Sequence, residues 1–207
     1  ARFHAEHPGV TVRLRHGGAG SALLAEELQA GQLDVAFVSL ERAPAGVELV
    51  PLSVEEIVLV CLPEHPLAGP RGSRGAAQRT ARSRSAAAPA ARPPAPRRIS
   101  LARAAHETLI DFPPGYGNRM TADRAFAAAG VERTIAYEVA EFDAALQLVR
   151  HGLGVAFLPA FVVAGLDDVT AVRLREPLRM RMSAAVSTTL TAAVRAFLAT
   201  VELVARA

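Results

Sequence analysis

Val10, Val12 and Leu14 alternate with Thr11, Arg13 and Arg15, a period of two that predicts a strand. His16-Gly17-Gly18-Ala19-Gly20-Ser21 follows, too rich in glycine for the interior of a helix or strand. Ser21 is placed to cap a helix carrying Leu24 and Leu28 on one face, with Gly31 as its terminator. The apolar run Val35-Ala36-Phe37-Val38 reads as a strand buried on both faces, as in a parallel sheet. Residues 10–38 thus form a β-α-β unit with a polar corner, and helix starts beside strand ends are where open α/β sheets gather ligands.

The alternation continues downstream. Short strands are predicted at Val47–Leu52 and Glu56–Leu62, then a short helix from Ile99 to Ala102 and a strand from Thr108 to Phe112. Pro113-Pro114-Gly115-Tyr116-Gly117-Asn118 makes a second corner, with Asn118 as expected cap of a helix over Arg119–Ala129. A strand over Thr134–Val139 leads to a third corner, Ala140-Glu141-Phe142-Asp143, and a helix carrying Ala145, Leu148 and Val149 at i, i+3, i+4 spacing. Strands over Val155–Leu158, Val169–Leu174 and Arg181–Val186 come next, and Val194, Phe197, Leu198, Val201 and Val204 predict a final amphipathic helix over Thr191–Arg206. Residues 1–7 read as the last turns of a helix stopped by Pro8-Gly9, so the sequence reads as starting inside a domain, as a truncated or misannotated reading frame would.

Composition changes this picture in one segment. All 23 basic residues are arginine, and those at 71, 74, 79, 82, 84, 92, 97 and 98 fall in Gly69–Arg98, which holds no acid. Without them the formal charge of +3 becomes −5, so the basic character belongs to that segment and not to a nucleic-acid-binding face of the folded body. Its Ala, Arg, Pro, Ser and Gly cannot bury enough surface to offset ordering entropy, which predicts disorder over 69–98. It reads as a neutral insertion before it reads as a polybasic arm. The one cysteine, Cys61, argues against a disulfide framework and for a reducing, cytoplasmic setting. No apolar run reaches the roughly 18 to 20 residues of a membrane span, and no signal peptide is legible at the start.

Catalytic and metal patterns are absent from the sequence. His16-Gly17-Gly18 has no Gly-x-Ser-x-Gly elbow to serve, the six histidines are scattered, and Gly115-Tyr116-Gly117 lacks the third glycine of a dinucleotide fingerprint. Ser21 reads as a helix cap rather than a nucleophile, and Asp34 as a strand-start residue. The reading is of a non-enzyme without cofactor or metal.

Four separated segments carry a resemblance: VTVRLRHGGAGSALLAEELQAGQLDVAFV, Cys61–Ala68 (CLPEHPLA), Leu109–Pro113 (LIDFP) and Leu148–Pro159 (LVRHGLGVAFLP). Together they resemble the effector-binding domain of LysR-type transcriptional regulators. The resemblance implies an α/β, two-lobed fold like that of type 2 periplasmic binding proteins, each lobe a βα sheet sandwich, with the chain crossing twice between lobes. Residues 1–54 and 185–207 would form lobe I, lacking its first strand, and 55–184 lobe II, interrupted by 69–98. By motif position the effector would lie against Gly20, Ser21, Phe37 and Ser39 from lobe I and Tyr116, Gly117, Asn118, Glu141 and Phe142 from lobe II. An organic acid is the expected effector, Glu141 being the one repulsive neighbour and Arg119 its candidate partner. The full-length protein would reach promoter DNA through a winged helix-turn-helix that is missing here, as a homodimer or homotetramer. A stand-alone solute-binding protein of a transporter shares the fold and is the alternative.

The composition of 69–98 makes a first expectation testable. Joining Gly69 to Ile99 through a few residues leaves the melting temperature within a few degrees, since no core packing is lost. Thermal unfolding of the shortened chain checks this, and a fall beyond about 10 °C would show that the segment packs on the body.

Overall fold

A computed structural model describes residues 2–15, 20–69 and 98–205. The expected disorder of 69–98 falls outside those residues except at its ends, where Arg98 pairs in a short strand. In chain order the elements are α1 (Arg2–Glu6), α2 (Gly20–Gln29), β1 (Val35–Val38), β2 (Val47–Cys61), β3 (Arg98–Ile99), α3 (Leu101–Ala104), β4 (Leu109–Asp111), α4 (Gly117–Ala128), β5 (Ile135–Glu138), α5 (Phe142–Arg150), β6 (Val155–Pro159), β7 (Thr170–Leu174), β8 (Leu178–Ser187) and α6 (Ala192–Ala205).

The strands run in the order β1-β8-β2-β6-β4-β5, with β7 paired to β2 and β3. β2 and β8 are the long members, and their antiparallel ladder extends from Val47 opposite Ser187 to Ile57 opposite Leu178. On one side of it β1 pairs with β8; on the other β6 and β7 pair with β2, and β4 and β5 continue as parallel strands beyond β6. The core divides along the same line. Two apolar clusters draw on residues between Ile57 and Met182, centred on Leu59, Phe157 and Leu109 and on Val60, Ile110 and Leu158. Two smaller ones draw on Leu28, Val38, Val47 and Ala185, and on Ala184, Val186, Val194 and Leu198.

Several expectations are corrected. Residues 10–15 form no strand: Val12 is 45% and Leu14 89% exposed, and the segment has no ladder partner among the described residues. Alternation alone does not hold a strand whose backbone groups find no neighbour. Val47–Leu52 and Glu56–Leu62 are one continuous strand rather than two. Pro51, which has no N–H to give, is accommodated by a register slip between Pro51 and Ser53. β1 is antiparallel to β8, not parallel, and only half-buried, Phe37 facing outward at 45% exposure. Arg98-Ile99 pairs with β7, so α3 begins at Leu101, capped by Ser100 Oγ accepting from Arg103 N at 3.2 Å.

A buried ion cluster braces the turn from β4 into α4. Asp111, fully buried, accepts from Phe112 N through Oδ1 at 2.8 Å and lies 2.7 Å from Arg133 Nη1. Burial pushes the Asp111 carboxyl above its ordinary value, against the downward pull of Arg133, the Phe112 N–H and Arg119. Arg133 also donates to Asp123 at 2.7 Å and lies over the rings of Phe126 and Phe157, 4.8 and 5.8 Å from their centroids. Arg119 donates to the Phe112 carbonyl at 2.8 Å. The turn is therefore held from both sides.

Removing one partner of a buried pair strands the other's charge, at about 3–5 kcal/mol, whereas replacing both with apolar residues is near neutral. Arg133→Leu is thus expected to lose about that much stability and Asp111→Leu/Arg133→Leu to recover most of it. Denaturant titration of both variants measures the difference.

Candidate functional site

The three corners converge, and two of them touch. α2 starts at Gly20, so Ser21 sits inside its first turn and is not the helix cap expected of it. Its hydroxyl instead accepts the backbone N–H of Ser39, just beyond β1, at 3.0 Å, and its own N–H donates to Gly115 O at 3.1 Å across to the second corner. Both glycines at this approach are required. Gly20 has φ +81°, and a Cβ there would lie 2.4 Å from the Gly115 carbonyl oxygen. A Cβ on Gly117 would lie 2.4 Å from Ser39 Cβ. The His16–Ala19 part of the first corner lies outside the described residues.

α4 likewise starts two residues earlier than expected, at Gly117, with Tyr116 in the cap position. Asn118 is therefore not the cap. Its buried side chain points under the helix and donates to Phe157 O at 3.4 Å. Glu141 is the cap residue of α5, exposed and without a side-chain capping bond. Arg119, its expected partner, is engaged elsewhere: with Asp123 at 2.9 Å, and at 3.8 Å with both Asp111 and Glu138. Those acids are nearer along β4, β5 and α4 itself, the last at i, i+4 spacing.

Beside the corner contact lies a cavity of about 720 Å³, lined by Ser21, Phe37, Ser39, Tyr116, Gly117, Asn118 and Phe142 among the expected residues. Gly20 and Glu141 do not line it; Gly20 serves the contact behind it. Sequence reasoning missed the cavity's floor and far wall: Leu52, Ser53 and Glu55 from β2, Met180 and Met182 from β8, Phe161 after β6, and Thr200, Val201, Val204 and Ala205 from α6. A signal for the floor existed. Ser53 and Glu55 are polar residues two apart within a β-rich run, which places them on one face of the strand. The rings form one wall: Phe142 packs edge-on to Phe112 at 5.3 Å and to Phe161 at 6.5 Å.

The chemistry offered is that of binding. Among the described residues the lining supplies aromatic and thioether surface, hydroxyls, one amide and one carboxylate, Glu55, and no arginine or histidine. Among the described residues no group of three or more His, Cys, Asp or Glu could hold a metal ion, and no helix is long and apolar enough to cross a membrane. Cys61 is buried and free, and burial, with Glu107 adding, pushes its thiol up to about 11. It is a protonated core residue at neutral pH.

Known proteins resemble this chain in sequence and in fold. The LysR substrate binding domain family matches residues 1–82 and 79–205. The RuBisCO operon transcriptional regulator of Allochromatium vinosum is 26% identical over 156 residues, 75% of this chain and 42% of that protein, so the chain spans less than half of that relative's length. The CcmR regulatory domain of Synechocystis, solved with 2-PG, superposes with a TM-score of 0.77 at 18% identity, covering 99% of this chain and 88% of that one. The effector-binding domain of QuiR, solved with shikimate, gives 0.76 at 20% identity, covering 99% and 87%.

The corner contact yields a direct expectation. Gly20→Ala must place a Cβ against the Gly115 carbonyl at a backbone angle that costs L-residues about 1–2 kcal/mol by itself. Hydrogen exchange of the Ser21 amide, now bonded to Gly115 O, should accelerate markedly, and the melting temperature should fall by at least about 2 °C. Exchange measured residue by residue checks the first and calorimetry the second.

Proposed function

The chain belongs to the LysR substrate binding domain family and has its two-lobed α/β fold, and from that premise we propose that a small-molecule effector binds in the 720 Å³ cavity and biases the relative disposition of the lobes. The observation that carries the reading is the composition of the cavity wall. It takes Ser21, Phe37 and Ser39 from one end of the β2/β8 ladder, Tyr116 to Asn118 and Phe142 from the other, and its floor from the ladder itself. A ligand there touches both sides of the crossing and the crossing strands at once.

The lobes we infer are 1–54 with 185–207, and 55–184. The apolar clusters support this division, since none combines core residues from both sets apart from Ala184 at the margin. An organic acid suits the start of α4, where first-turn N–H groups lack intrahelical partners and the helix dipole favours negative charge. In the complete protein the domain would pass its state to a winged helix-turn-helix on promoter DNA, within a homodimer or homotetramer in the cytoplasm. Its role would be sensing, not catalysis. The relative named as a transcriptional regulator supports this over a transporter's solute-binding protein.

Screening a metabolite library by thermal shift, then titration calorimetry of the hits, tests the reading. Losing a hydrogen bond to a charged ligand costs about 1.5–3 kcal/mol, so Ser21→Ala or Asn118→Ala should weaken a true effector roughly ten- to a hundredfold. Unchanged affinity in both variants, with the fold intact, would move the site elsewhere.

A further inference from the structure

Glu55 has no use in the fold that its surroundings reveal. It stands on β2 opposite Met180 of β8, at the middle of the crossing, and contributes to the cavity floor. Ser53, two residues away on the same face, donates its hydroxyl to Oε1 at 2.6 Å, which leaves most of the carboxylate's acceptor capacity unfilled. The neighbouring Glu56, on the opposite face, has Arg173 at 3.6 Å. Glu55 has no such cation within ion-pair distance among the described residues, and the cavity lining supplies none. This half-buried carboxylate shares its cavity with Phe37, Phe142, Phe161 and two methionines, and among the described residues no countercharge pairs with it.

The opposite pole is close by. A Cβ on Gly117 would lie 3.0 Å from Met180 Sδ, and Met180 is the cross-strand neighbour of Glu55. Met180 thus lies against the start of α4 and, in the ladder, opposite Glu55. The start of α4 favours a negative group and Glu55 a positive one, with aromatic and thioether surface around both.

Resting on the reading of this cavity as the effector site, we propose that its ligand is an amino acid, or a molecule with the same short ammonium–carboxylate spacing, bearing an apolar side chain. The ammonium sits on Glu55, the carboxylate at the start of α4, and the side chain among the rings and methionines. A simple organic acid would leave Glu55 unpaired beside it; the amine turns that carboxylate from a repulsive neighbour into the anchor.

Calorimetric titration of the 207-residue chain with leucine, methionine and phenylalanine, each beside its deaminated acid and its decarboxylated amine, is the test. At least one amino acid should bind about tenfold or more tighter than its deaminated acid, and Glu55→Gln should abolish that advantage while leaving the acid bound as before or better. The ranking in the unaltered chain stands whether or not the variant folds. A deaminated acid that equals its parent, or an advantage that survives Glu55→Gln, overturns the amine assignment and leaves the cavity as an acid site. Binding by none of the probes overturns the amino-acid class, and binding that Ser21→Ala and Asn118→Ala leave untouched overturns the cavity reading as well.

Discussion

The ladder between β2 and β8 is the constraint on which the rest of the structure depends. Among the described residues it joins the two halves of the sheet by backbone pairing, from Val47 opposite Ser187 to Ile57 opposite Leu178. Each half packs its own apolar clusters, so relative movement of the halves is resisted mainly by bending this ladder and by parting the corners beside it. The register slip next to Pro51 lies within the same span, where a missing N–H already weakens the pairing. Leu52, Ser53 and Glu55 of the cavity floor are the adjoining residues, so the shape of the cavity and the curvature of the ladder involve the same few side chains.

The corners supply the second constraint. Gly20 against Gly115, and Gly117 against Ser39, bring backbone to within the space that a methyl group would fill. Ser21 turns that proximity into bonds in two directions, one to Ser39 on its own side and one to Gly115 on the other. The contact is short-range and polar, and buries little apolar surface. Such a contact is worth about a kcal/mol or so net, enough to bias an arrangement and small enough for a ligand to shift it.

Elements with sustained periodicity are legible in the sequence: α5 and α6 from their apolar spacing, β6 from its continuous run, and the second corner from its glycines and asparagine after a strand. What failed had a common cause. Val10–Leu14 alternates correctly but depends on a pairing partner, and sequence alternation contains no information about the neighbour. Ser21 and Asn118 were placed within one residue of their helix starts, yet each directs its side chain to Ser39 or Phe157 instead of capping. The expected match of Arg119 to Glu141 overlooks three acids, on β4, β5 and α4 itself, that compete for it. The cavity floor was missed because its residues lie on the crossing strands, where the sequence reading placed a boundary instead of a surface.

Asp111 and Glu55 show how two carboxylates on the same sheet come to differ. Asp111 is fully buried, yet arginines on α4 and before β5 approach it, and its backbone bond to Phe112 fixes a turn. Those contacts account for it as a brace, and the cost of burying it is met inside the protein. Its Oδ2 and Arg133 Nη1, at 2.7 Å but out of line for a hydrogen bond, mark a pair held by charge and packing more than by geometry. Glu55 is less buried, but its one bond, from Ser53, is to a neutral hydroxyl, and the surface before it is apolar. Burial of a charge is therefore a poor guide to function in this chain. The better guide is whether the fold itself supplies the opposite charge, and at Glu55 none of the described residues does.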